Sequence, residues 1–188
     1  MRSIARVAAS FLFSCVALSL GAGPSAGCGE DGSAPYAGWD TAEDSDGVYR
    51  VRFLAPPWKR VPTTEGDGRI ELVVPQVFGS LDAGTPPKYA LEASLLRGLA
   101  LPTLQAEIAR ISGARVLRDP APFTTLSSDI GFSAVLADST TARFYQLVTL
   151  AAPSDRALLV VVQLNEDPRN DLEIDAMMRA IDVRPFAE

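Results

Sequence analysis

The chain has 188 residues with 17 Lys plus Arg, 23 Asp plus Glu, no His and two Cys, giving a net charge of −6. That acidity leaves no general basic footprint for nucleic acid, and the lack of histidine excludes a Ser-His-Asp triad, a His-bearing zinc site and an imidazole base. Hydrophobic residues make up 47%, too many for a disordered chain, and the length fits one domain.

The chain opens with Arg2 and Arg6 and an uncharged apolar run over residues 7–20, followed by Gly21, Ala22, Gly23, Ser25, Ala26, Gly27 and Cys28. This order of charge, apolar stretch and small residues is that of an export signal. The apolar run is short of the roughly 20 residues a spanning helix needs, and no later stretch reaches that length without charge. Ser25-Ala26-Gly27-Cys28 resembles the lipobox of bacterial lipoproteins, with serine where leucine is usual. The resemblance implies removal of residues 1–27 and acylation of Cys28. Cys15 would leave with the signal, so Cys28 has no intrachain disulfide partner in the mature chain. The alternative is a soluble secreted domain, cut elsewhere in the same small-residue region. Gly29, in place of the aspartate tied to inner-membrane retention in enteric bacteria, points by the same analogy to the outer membrane.

Residues 28–47 read as a flexible acidic tether, with Glu30, Asp31, Asp40, Glu43, Asp44 and Asp46 and no base. Tyr36 and Trp39 interrupt it. Asp44-Ser45-Asp46-Gly47 fails as a calcium loop, because Ala42 and Phe53 would fall at its first and last ligand positions. The folded domain is expected over residues 48–188. It holds 17 acids and 15 bases, so most of the chain's acidity belongs to the tether.

In the domain, Tyr49, Val51 and Phe53 alternate with Arg50 and Arg52, which predicts a strand with one apolar and one charged face. Pro56-Pro57 ends it. A second strand over residues 69–74 is expected to pair with it as a long-looped hairpin. Residues 88–97 fit either a strand or a helix. Pro102 near its start and Gly113 as its stop predict a helix over 101–112, with Leu104, Ile108 and Ile111 facing inward. Strands over 130–138, 142–151 and 157–164 have connections short enough for an antiparallel meander. Leu158-Leu159-Val160-Val161-Val162 is apolar on both faces, as in a central strand. A last helix over 170–181 is expected to be capped by Asn170, with Ile174, Met177, Met178 and Ile181 inward. From Asp182 a short edge segment follows.

This order of elements, the Tyr49–Phe53 strand followed by Pro57-Trp58-Lys59, the Gly131-Phe132-Ser133-Ala134-Val135-Leu136 strand and the closing Ala180-Ile181-Asp182 resemble the Mog1/PsbP superfamily. The glycine usual before the tryptophan is absent. The resemblance implies an α+β fold, an α/β/α sandwich around a mainly antiparallel sheet. It also implies a binding or accessory module with no shared catalytic set. Metal ligation in some members uses histidine, which this chain lacks, so neither metal nor cofactor is expected.

Candidate site residues are few. Trp58 reads as a binding anchor or as a plug at one end of the core, the plug being the commoner role of so large an apolar surface. Arg50 and Arg52 share a strand face that could hold an anionic group, or they form a solvated face balancing nearby acids. Met177 and Met178 read as core filler. Ser127-Ser128-Asp129 offers hydroxyls and a carboxylate, but in a turn, where local hydrogen bonding explains them. The expectation is a membrane-anchored periplasmic lipoprotein whose partner is the membrane through Cys28, and in addition an envelope protein. The rivals are a hydrolase using a carboxylate pair, for which no sequence feature places two acids across a cleft, and the secreted binding domain.

Overall fold

The computed structural model describes residues 38–63, 68–76, 87–111 and 113–184. The export segment, Cys28, Tyr36 and the first part of the tether lie outside the described residues.

Two sheets carry the fold. The smaller has β1 (Trp39–Glu43) and a two-residue β10 (Asp182–Val183) on either side of β2 (Tyr49–Leu54), both antiparallel to it. The expected tether therefore ends earlier than residue 47. Ala42 is fully buried and Trp39 packs on the core, while Thr41 and Glu43 stand opposite Arg52 and Arg50. Two apolar residues in five leave no visible period, but cross-strand partners make the strand. Asp44 caps the turn that follows, accepting from the backbone N–H of Val48 at 2.7 Å and of Tyr49 at 2.8 Å.

The larger sheet has seven strands, all antiparallel, in the order β3 (Lys59–Val61), β4 (Ile70–Val74), β5 (Tyr89–Arg97), β9 (Arg156–Leu164), β8 (Arg143–Ala152), β7 (Ile130–Asp138) and β6 (Ala114–Thr124). The expected hairpin of residues 49–53 with 69–74 does not form. β4 pairs instead with β3 and β5, because Ile70, Leu72 and Val74 meet Leu91 and Ala93 in one buried layer. Residues 88–97 are a strand: Leu91 and Ala93 are buried in alternation, and Leu99, the end of the rival helical stripe, is exposed. The three meander strands stand as expected, and β9 is central.

β6 is a strand that the sequence did not announce. Pro120 and Pro122 and two register irregularities suit its place at the sheet edge, since edges and bulges are where a sheet tolerates proline.

The large sheet has two packed faces. On one, Val148, Leu150, Leu158, Val160 and Val162 meet β2 and α2 (Leu172–Arg179) through Tyr49, Val51, Ile174, Met177 and Met178. On the other, Leu136 and Leu147 meet Leu104 of α1 (Ala100–Arg110), which runs over β6 to β9. The result is an α+β fold dominated by antiparallel sheet. α2 begins later than expected, after a 3-10 turn at Pro168–Asn170. Asp171 rather than Asn170 is its cap, accepting from Glu173 and Ile174 backbone N–H at 3.1 Å each.

Thr149 is fully buried on the α1 side of β8, and its Oγ1 has no hydrogen-bond partner among the described residues. Thr149→Val keeps the shape and removes a desolvated hydroxyl. It is expected to hold or raise stability, by about 1 kcal/mol, in a thermal melt. A clear loss would mean the hydroxyl is bonded.

Candidate functional site

The described residues offer two places where charged groups converge: a buried clasp and an open groove.

The clasp gathers Arg50 and Arg52 from β2, Asp182 from β10 and Ser127 from the β6–β7 turn. Alternation on β2 sends the two guanidiniums away from the core, and the β10 register sets Asp182 opposite Arg50. One Asp182 oxygen binds Arg50 Nε and, at 2.9 Å, Arg52; the other accepts from the Ser127 hydroxyl. Burial pushes the Asp182 carboxyl up, but the Ser127 hydroxyl and the two guanidiniums outweigh it, so its pKa lies below the ordinary carboxylate range. Asp129 completes the clasp by accepting from Val183 N–H at 3.0 Å.

Arg50 and Arg52 therefore form neither the solvated face nor the open anion site read from the sequence; an internal carboxylate already holds them. A carboxylate paired with two guanidiniums is a poor base, so Ser127 gains no nucleophilic help from it. Trp58 is a plug: its side chain is 1% exposed, packs in the main core beside Tyr89, and donates Nε1–H to Glu173 at 2.9 Å. It is buried too deeply to anchor a ligand.

The groove lies on the α1 face, over strands that the helix leaves open. Its two adjoining parts enclose about 460 and 640 Å³ and share Glu92, Arg110 and Val161. β4 and β5 form the floor and α1 forms a wall. The strand register places Glu71 directly opposite Glu92. Arg69 bridges them, 3.4 Å from Glu71 and 2.5 Å from Glu92.

On the wall, Glu107 is buried and receives Arg110 through two bonds of 2.7 and 2.6 Å, which raises the arginine's pKa further above its ordinary value. At the far end, Asp138 accepts from the Thr141 hydroxyl and Thr140 N–H. These hold its carboxyl below the usual range. The sequence reading missed this site. Glu71 and Glu92 each sit among apolar residues on separate strands, and only the β4–β5 register brings them together.

Among the described residues there is no cluster of three or more His, Cys, Asp or Glu suited to a metal ion, and no helix is long and apolar enough to cross a membrane.

No family model and no curated protein matches the chain. Among solved structures it is similar to a protein from Bacteroides thetaiotaomicron VPI-5482, at 10% identity and a TM-score of 0.43. The match covers 80% of this chain and 50% of the other, so the chain spans about half the length of that protein.

Proposed function

We propose that this chain is an exported lipoprotein, acylated at Cys28 and held on the outer membrane facing the periplasm, whose domain is a non-catalytic binding module for an envelope partner. The fold we assign it is an α/β/α sandwich of the Mog1/PsbP type, with α1 and α2 on opposite faces of the seven-stranded sheet. The observation that carries the binding role is the groove: a concave sheet surface beside α1 where Arg69, Glu71, Glu92 and Arg110 converge around the apolar Val73, Ala90 and Val161. The anchor rests on Ser25-Ala26-Gly27-Cys28 after an export signal. Several acyl chains, at about 0.8 kcal/mol for each buried CH₂, hold firmly.

A second reading, a carboxylate-pair hydrolase, is favoured by the facing Glu71 and Glu92. They argue less for it than for binding, because they sit side by side on the groove floor. Glycoside cleavage needs two carboxyl groups that flank the scissile bond. Growth of the expressing bacterium with radiolabelled palmitate tests the anchor. Label is expected on the wild-type chain and absent from Cys28→Ala; equal labelling of both, or of neither, removes the anchor.

A further inference from the structure

We propose that the groove beside α1 takes a peptide segment carrying a basic side chain flanked by apolar ones, with the Glu71–Glu92 pair receiving the cation. This rests on the reading of the groove as the binding site and adds the chemistry of its occupant.

Two like charges directly opposite each other on antiparallel strands destabilise a sheet. The core does not require them: both side chains point into the groove, 34% and 45% exposed. Arg69 offsets that repulsion only in part, since one guanidinium serves two carboxylates, and a locally costly pairing of this kind is expected at functional sites. The charge balance has the same sign. Among the described residues, four carboxylates, Glu71, Glu92, Glu107 and Asp138, face two guanidiniums, Arg69 and Arg110. Arg110 is engaged by Glu107, and Arg69 is shared between the two facing glutamates, so negative charge remains. Arg69 also demonstrates the fit, since one guanidinium reaches both carboxylates at once. Between the charges, Val73, Ala90 and Val161 give apolar contact for the neighbours of a basic side chain. An anionic segment would meet this surface unpaired, which costs affinity.

The test is a titration of the nitrogen-15-labelled full-length chain in detergent micelles, followed by amide spectra. The probes are three capped pentapeptides: Val-Lys-Val-Arg-Val, its acidic counterpart Val-Glu-Val-Asp-Val, and neutral Val-Gln-Val-Gln-Val. The basic peptide is expected to shift amides of β4, β5 and α1 and to bind about tenfold tighter than the acidic one, less so in high salt. Glu71→Gln with Glu92→Gln should weaken it about tenfold, while Asp119→Asn with Asp175→Asn, an equal charge change elsewhere, should not. Both pairs are checked for an unchanged spectrum without peptide. Equal affinity for basic and acidic peptides, or equal losses in the two double variants, overturns the proposal. If the neutral or acidic peptide then moves the groove amides, the groove remains the binding site with a different occupant. If no peptide moves them, the binding reading falls too.

Discussion

Gly131→Ala is expected to cost the domain at least about 4 kcal/mol, most of the stability of a domain at the low end of the ordinary range. A Cβ at Gly131 would lie 1.7 Å from the carbonyl oxygen of Thr149, 2.7 Å from its carbonyl carbon and 2.9 Å from Leu150 Cα. All three are backbone atoms of β8, so no side-chain rotamer can make room. β7 is the inner neighbour of β6 and pairs with β8 from Gly131 opposite Leu150 to Asp138 opposite Arg143. Relief would require prising that ladder apart at its start. Denaturant unfolding measures the loss directly. A variant with near wild-type stability would show that β7 and β8 do not approach this closely.

Asp182→Asn is expected to cost about 2 to 3 kcal/mol. The substitution leaves Arg50 and Arg52 side by side, 28% and 16% exposed, without the carboxylate that separates their charges. Loss of one partner from a fully buried pair costs more, and the partial exposure of these guanidiniums lowers the figure. The pH dependence has a definite sign. The folded-state pKa of Asp182 lies below its unfolded value, so the carboxylate contributes stability above the unfolded value, about 3.9, and loses it as pH falls through the folded one. The gap between wild type and Asp182→Asn should therefore be full near neutrality and close in acid below about pH 4. A gap that persists unchanged into strong acid would mean that packing, not charge, carries the effect. The same variant should loosen β10, which has only two residues and is otherwise held by its pairing with β2 and by the Val183 N–H bond to Asp129.

How far the sequence spoke depends on where each signal was stored. β2, the meander and α1 were legible because each carries its own period: Tyr49, Val51 and Phe53 alternate, and Leu104 and Ile108 recur at helical spacing. The partner of β2 was not. Its pairing with Trp39–Glu43 and Asp182–Val183 joins segments far apart in the chain, and an acidic stretch with two apolar residues resembles a linker until Arg50 and Arg52 stand opposite it. β6 was hidden by prolines, which forbid a central strand but not an edge.

The candidate sites divide the same way. Arg50, Arg52 and Ser127 were each visible, but the buried Asp182 that binds all three lies 55 residues beyond the nearest of them. With it, an apparent anion site becomes a structural clasp. Glu71 and Glu92 were unremarkable one at a time. Their importance is a matter of register, which no single strand encodes.

The most direct test of the central reading is the mass of the mature N-terminus, measured on the chain purified from detergent-solubilised membranes. An anchored lipoprotein predicts an N-terminal peptide that begins at Cys28 and carries the added mass of a diacylglyceryl group and a further acyl chain. A chain recovered without detergent, with an N-terminus elsewhere and the Cys28 thiol free or removed, would contradict it.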